Sequence, residues 1–579
     1  MINNGIAETS IVENKKKRSM GKFIIGTALV LIIIALGFLF FTGKAFMFIA
    51  DGYSKAHKFP ESVLYYEKAA SLGNSKAQTR LGMLYELGAG VDVDIEKTLK
   101  FYTEAANKGD AEAQNRLGDI YDGYEGYPVD YKKAFQLFSK AADRNYPDAI
   151  MNLGWMYLNG YSVDLDYNKA KELFEQAAKK GSAAAYCQLG DMYLEGRGVQ
   201  IDLKKYREYY SEAIKIYEKQ VSDGDVEAEI NLSNIYLGGN GVDIDNAKAK
   251  GYFDELMKMG IPAGYKGLAF YNYQGRGGNV DLQKAVELYT AAADKGDSEA
   301  QYSMANVLFD GKGIEKDINK AIDFYKKAAD NYNVLACKKL AAIYLKGEGV
   351  VKDSTLAEKY EKQVVDFYTR SAEQGNADSM YQLGIFYGTK ENLLYDSKKS
   401  AEYYKKYTEQ CNMQIQKGSV EAINKMAVIY DKGLGTTADI QKAVVYYKQA
   451  ADKGHYIASK NLAYKYTDAG SKFYNPTLGF KLMKYAAECG NADAMNRFGV
   501  LNYKGEGTES NTAEFIKWIS KATDASDANA LYNLGQAYYY GVGVEKDVIK
   551  SSNLLERAAN FGNKDAEKLY SDMKNKGEI

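Results

Sequence analysis

Histidine and cysteine are nearly missing from this sequence. Its two histidines, His57 and His455, lie 398 residues apart, and its four cysteines, Cys187, Cys337, Cys411 and Cys489, are never closer than 74 residues. Local zinc and C-x-x-C redox motifs, whose ligands come in closely spaced pairs, are excluded. A Ser-His-Asp triad would have to use one of two imidazoles, and no G-x-S-x-G elbow surrounds any serine. The isolated cysteines read as reduced, semi-buried thiols, compatible with an oxidising compartment without proving one. Proline is also scarce, 5 in 579 residues. That suits long helical stretches, because proline removes an amide donor and clashes inside a helix. An excess of either charge is lacking too: 75 Lys+Arg stand against 76 Asp+Glu. A basic footprint for nucleic acid is therefore absent.

What is present is one long uncharged run and a great deal of glycine and tyrosine. Phe23 to Gly43 holds 21 consecutive uncharged residues. As a helix it spans about 31 Å, the thickness of a bilayer's hydrocarbon core. It is longer than a signal-peptide apolar region and no clear cleavage site follows, so it reads as an uncleaved anchor. Lys15, Lys16, Lys17, Arg18 and Lys22 precede it, whereas only Lys44 follows closely. The bias predicts a cytoplasmic tail over 1–22, a transmembrane helix over 23–43, and everything beyond on the far side of an inner (plasma) membrane. Residues 44–60 read as a linker, and 574–579 as a tail.

The remaining chain, with 54 glycines and 51 tyrosines, repeats. The pattern Ala-x-x-x-Leu-Gly-x-x-Tyr anchors on Leu81, Leu117, Leu153, Leu189, Leu232, Leu268, Met304, Leu340, Leu383, Met426, Leu462, Phe498 and Leu534. Nine of the twelve intervals are 36 residues and three are 43. Ala, Leu and Tyr four apart share one helical face, and the glycine after the anchor leaves room for a second helix. A glycine-rich turn follows, such as Gly196-Arg-Gly198. Thirteen residues after each anchor stands Asp or Asn, from Asp94 to Asp547. This ladder reads as helix N-caps; one carboxylate per repeat does not converge on a calcium ion. The second helix ends in paired alanines, such as Ala328-Ala329. Each unit is thus two antiparallel helices that bury their apolar faces only against neighbours. The seven extra residues of the 43-residue intervals are nearly two helical turns. They predict second helices about 10 Å longer after Asp202, Asp353 and Asp396.

The pattern, fullest at 299–334, resembles the Sel-one-like repeat, a relative of the tetratricopeptide repeat. The resemblance covers 61–573, with thirteen full units and a half unit at each end. The pattern departs at Gly388-Thr389 and Asp468-Ala469-Gly470, and where Asn272 and Asn502 replace the tyrosine, and does not fix helix pairing there. The resemblance implies an all-α, right-handed α-solenoid acting as a scaffold or adaptor, and carries no catalytic motif or cofactor with it. No Walker loop accompanies the G-x-G turns. The two S-x-x-K pairs, Ser19 with Lys22 and Ser571 with Lys574, fall beside the anchor and in the tail.

By analogy with tetratricopeptide geometry, the concave face is lined two before the anchor and two and five after it. Those positions are Asn115, Asp119 and Asp122; Met151 and Trp155; Asp191; Asn234; Phe270 and Tyr273; Tyr302, Asn306 and Phe309; Tyr381, Tyr464, Tyr532 and Tyr539. Aromatic and amide side chains there suit a partner groove; packing between helices is the alternative for each. The expectation is a single-pass bacterial membrane protein whose periplasmic solenoid captures a protein partner, with no enzyme activity. An immunity factor sequestering a toxic effector at the envelope is a second reading, and an envelope enzyme or enzyme subunit acting on peptidoglycan or polysaccharide a third. Reversed topology stays open.

Overall fold

The computed structural model describes residues 43–123 and 126–579. Among them run an α-helix over 43–55 and twenty-eight more, from Phe59–Ser71 to Lys564–Asn575. The β-structure among the described residues is one isolated bridge, Arg197 to Ser419. The chain is an all-α solenoid in which each helix packs chiefly on the one before and the one after.

One unit explains the rest. In Ser75–Leu87, Ala77, Leu81 and Tyr85 are buried together along one face. Gly88, with φ 66°, ends the helix in the left-handed region that a side chain disfavours. The chain doubles back, the Asp94 amide donates to Tyr85 O at 3.1 Å, and the Asp94 carboxylate accepts from Lys97 N at 2.9 Å. The second helix, Ile95–Asn107, then lays Tyr102 across the first. Its ring occupies the space beside Gly82, where a Cβ would lie 2.4 Å from it. Gly118 under Phe138, Gly154 under Phe174 and Gly384 under Tyr404 repeat the arrangement.

All thirteen Asp and Asn residues of the ladder are N-caps, each accepting from the first turn of its helix. The three long second helices are present as well. Leu203–Ser222, Ser354–Glu373 and Ser397–Gln416 have 20 residues where Ile95–Asn107 has 13.

Two expectations, the linker and the unit count, need correction. Residues 44–60, read as a linker, are helical over 43–55. Ala50 is buried in the core and Asp51 Oδ1 accepts from Tyr66 Oη at 2.8 Å. This helix pairs with Phe59–Ser71, so the first unit is full and the count is fourteen units with one terminal helix. Pairing persists at the atypical turns. Glu361 holds the loop after Gly388 by accepting from Leu393 N and Leu394 N at 3.0 and 2.9 Å, and Asp468 Oδ1 accepts from Gly470 N at 3.0 Å. Asn272 and Asn502 each donate to the carbonyl four residues back, at 2.8 Å. Their own carbonyls still accept from the next N-cap amide, so the tyrosine side chain is not what closes the loop. The proposed transmembrane segment 23–43 lies outside the described residues, save Gly43. Among the described residues no helix is long and apolar enough to cross a membrane.

The stack coils tightly enough that its turns touch. Val93 N donates to Lys295 O at 2.9 Å, Tyr131 N to Gln374 Oε1 at 2.8 Å, and Val420 N to Gly196 O at 3.1 Å. Arg557 Nε donates to Gln274 O at 3.2 Å and Lys312 Nζ to Asn560 O at 3.0 Å. In each case the turn between a unit's two helices meets the corner between two units some 200 to 280 residues further along. Six or so repeats therefore complete one superhelical turn, and a polar seam joins each turn to the next.

Candidate functional site

The first superhelical turn encloses a lumen of about 810 Å³. Most of its wall is made by first helices, whose side chains reaching it lie five, two and one before the anchor and two after it, and second helices add Tyr66, Tyr217 and Gln220. Lys76, Arg80, Glu112, Asn115, Arg116, Asp119, Asp148, Met151, Asn152, Glu227 and Asn231 all contribute, with Met47, Asp51 and Lys55 of helix 43–55. A helical repeat puts these positions on one stripe.

Charge is concentrated there and is mostly paired. Arg116 makes a bidentate pair with Glu227 across the lumen, joining first helices 111 residues apart. Burial alone would push Glu227 up, but the Arg116 guanidinium outweighs it and holds the carboxyl below its usual range. Arg80 pairs with Glu112 at 2.9 Å. Asn152 Nδ2 donates to Asp119 Oδ1 at 2.6 Å and to Asn115 Oδ1 at 3.0 Å, while Asn115 Nδ2 donates to Asp119 Oδ2 at 3.1 Å. Burial pushes the Asp119 carboxyl well above its usual value, against the pull of Arg116. Asp122, the C-cap of the same helix, is pushed up to about 7 by burial, and its Oδ1 is buried with no hydrogen-bond partner among the described residues.

The structure brings Asn115, Asp119 and Met151 to the lumen and distributes the other expected positions elsewhere. Tyr302 and Phe309 pack on Tyr325, whose hydroxyl donates to Asn306 Oδ1 at 2.7 Å. Tyr381 packs on Tyr404 and Tyr407. Asp191 accepts from Tyr210 Oη at 2.9 Å. Trp155 is half-buried against the Ile150–Met192 cluster, and Tyr273 lies partly buried in the main core. Phe270 carries the Arg276 guanidinium on its face. Tyr464 donates to Asp493 at 2.7 Å, Tyr532 accepts from Gln536, and Tyr539 donates to Glu578 at 2.9 Å. Asn234 is exposed. Aromatic rings at these positions are long enough to reach the neighbouring second helix, so most of them pack.

The lumen residues that sequence reasoning missed are those one and five before the anchor. A signal for them exists. The position before the anchor reads Arg80, Arg116, Asn152, Gln188 and Asn231, polar in five successive units although it adjoins the apolar anchor of each.

The scarce side chains are structural. His455 is an N-cap, its Nδ1 accepting from Ala458 N at 3.1 Å while Nε2 lies 2.5 Å from Glu421 Oε2. The four cysteines are free and at least partly buried, and burial pushes the Cys337, Cys411 and Cys489 thiols up to about 11 and Cys187 to about 12. Thiolates at neutral pH are thereby disfavoured. Among the described residues no three His, Cys, Asp or Glu side chains are grouped to hold a metal ion.

The Sel1 repeat family model matches fourteen segments in succession, residues 35–74, 75–110, 111–146, 147–182, 183–215, 226–256, 262–297, 298–333, 334–360, 377–410, 420–455, 459–491, 492–527 and 528–563. Among solved structures, a protective antigen of uropathogenic Escherichia coli strains with an SLR fold is 26% identical, covering 83% of this chain and 90% of that one, with a TM-score of 0.30. A Sel1 repeat protein from Oxalobacter formigenes is 22% identical over 56% and 88% of the two chains, TM-score 0.29. An immunity protein from Pseudomonas aeruginosa is 19% identical over 39% and 81%, TM-score 0.27. No curated protein matches the chain. With fourteen consecutive repeats matched and fourteen helix pairs in the same places, the chain belongs to the Sel1 repeat family and has its protein-interaction solenoid.

Proposed function

We propose that this Sel1 repeat scaffold is tethered to a bacterial plasma membrane by residues 23–43, and that its solenoid, on the periplasmic side, holds a segment of a partner protein in the lumen. The observation that carries this reading is the lumen itself. At about 810 Å³ it falls in the size range of ligand-binding cavities, and it offers cations, anions and amides on one continuous wall. An extended peptide presents unpaired backbone amides and carbonyls, and Asn152, Asn231 and Lys76 are placed to meet them. The strong positive bias before the apolar run supports the topology.

A photo-crosslinking side chain at Met151 or Asn231 of the full chain, activated in cells, is expected to give a discrete adduct with another protein. The same side chain at exposed Val351 is expected to give none. Adducts from Val351 alone would move the partner to the outside of the stack. An alkaline phosphatase fusion after residue 50 is expected to be active; an inactive fusion that is expressed and inserted reverses the topology.

A further inference from the structure

The seam leaves one rim of the superhelix without a turn to cover it. The corners that meet an earlier turn begin at Gly224, which lies beside His57. The corners before it, at 72–74, 108–110, 144–146 and 180–182, come too early in the chain for any earlier turn among the described residues to stack on them. The described part of helix 43–55 reaches this same rim, with Gly43 against Leu72. The chain therefore enters the solenoid here, directly from the uncharged run 23–43.

This rim carries a basic ladder. Lys108, Arg144 and Lys180 occupy one position in three successive units, and all three are exposed. Each reaches back to the preceding corner. Lys108 Nζ donates to Gly73 O at 3.1 Å, Arg144 lies along Gly109, and Lys180 Nζ donates to Asn145 Oδ1 at 2.9 Å. Lys68, Lys76 and Lys179 are exposed beside them. The nearby acids mostly turn away from solvent. Asp110 caps Ala113 N, Glu112 pairs with Arg80, and Asp148 accepts from Ser182, which leaves Glu67 and Asp143 exposed. At corners inside the seam the ladder position reads Asp223, Met259, Lys295, Asn331, Gln374, Lys417, Lys453, Cys489, Ala525 and Phe561, with cations adjacent only at Lys417 and Lys453. Within two helical turns of Gly43, Phe48 is 81% exposed, and Lys68 sits over the rings of Phe46 and Tyr65. Aromatic and lysine side chains flanking an apolar segment are the usual furniture of a membrane–water interface.

We infer that this rim rests on a bilayer surface containing anionic lipid, so that the superhelix stands with its axis along the membrane normal and its far end away from the membrane. The inference rests on the anchor reading above. The tether keeps the rim within reach of the headgroups, so each cation adds to an encounter already made intramolecular. The attraction falls off within a Debye length, and salt weakens it.

The test uses the full chain reconstituted in vesicles of phosphatidylcholine alone and of equal parts phosphatidylcholine and phosphatidylglycerol. A membrane-impermeant amine reagent, read by peptide mass spectrometry, reports each lysine. Lys68, Lys76, Lys108 and Lys180 are expected to react about fivefold more slowly in the anionic vesicles at low salt, and equally fast in both at high salt. Lys352 and Lys546, in turns near the far end, are expected to react alike throughout. The variant K108E/R144E/K180E, checked for unchanged helicity, is expected to lose the protection of Lys68 and Lys76 while resisting alkaline carbonate extraction like the parent. Equal reactivity of the rim lysines in both vesicles, with the chain resistant to extraction, overturns this inference and leaves the anchor standing. Extraction of the parent chain by carbonate overturns the anchor reading itself.

Discussion

The second glycine of each G-x-G turn shows how much one hydrogen can decide. In Gly239-Asn240-Gly241, the first glycine ends the helix at φ 72° and the second holds φ 69°. A Cβ at Gly241 would lie 2.1 Å from Tyr210 Cβ, on the second helix of the preceding unit. Gly198 meets Tyr167 and Gly349 meets Ile318 in the same way, at 2.3 Å each. These turns are glycine-rich because repeats touch there. Gly241→Ala combines a left-handed backbone with a backbone-proximal clash, and should cost roughly 2–5 kcal/mol in chemical denaturation, with hydrogen exchange rising first in 203–222. Titration gives a second prediction at this scale. Burial pushes Asp122, and likewise Asp191 and Glu229, up to about 7. The folded chain then holds protons that the unfolded chain has already released above its ordinary carboxyl value. Stability should fall as pH rises from about 4 to 7 and level off beyond. Asp122→Asn should match the parent near pH 4 and exceed it by roughly 1–3 kcal/mol at pH 8, read as urea midpoints across pH.

Helices and turns were legible where one residue type serves one geometric need. The Asp/Asn ladder and the 43-residue intervals gave the second helices and their lengths directly, because a cap and a whole number of turns are local requirements. The caps of the first helices were less legible, since Asn74, Asp110, Ser182, His455 and others share the task; where Tyr146 and Ile261 cannot cap, Pro147 and Pro262 follow at the first helical position. The seam has its own sequence mark, visible once its location is known. The residue before each second-helix cap is Val93, Val129, Leu165, Ile201, Ile244 and Val280 in six successive units, then Lys316, Lys352, Tyr395, Ala438, Tyr474, Ser510 and Lys546. Val93 and Ile201 touch the turn above, and Val129 accepts a hydrogen bond from it. Ile201→Lys should therefore destabilise the chain by roughly 2–4 kcal/mol, whereas Lys352→Ile at the matching exposed place should change stability by less than about 0.5 kcal/mol, both from denaturant unfolding.

At the scale of the whole molecule, stability is more than a sum over neighbours, because the seam and the Arg116–Glu227 clasp join units far apart in the chain. Glu227→Ala leaves the Arg116 guanidinium buried without its carboxylate and should cost about 3–5 kcal/mol. If the clasp also sets the pitch, solution scattering of the variant will show a longer particle; an unchanged profile would leave the seam alone in charge of curvature. The concave lining was only partly legible for a related reason. Three expected positions, Asn115, Asp119 and Met151, reach the lumen, yet the aromatic ones largely pack on second helices, since a periodic pattern gives the angle around a helix and not the distance to the next one. By itself the sequence determined the repeat, the helix pairs, their caps and their lengths, all of which follow from hydrogen bonds and apolar faces within about forty residues. The superhelical turn, its seam, the lumen and the basic rim were decided only by the tertiary structure. Small rotations between successive pairs accumulate over about six repeats before two surfaces meet, and no local preference records their sum.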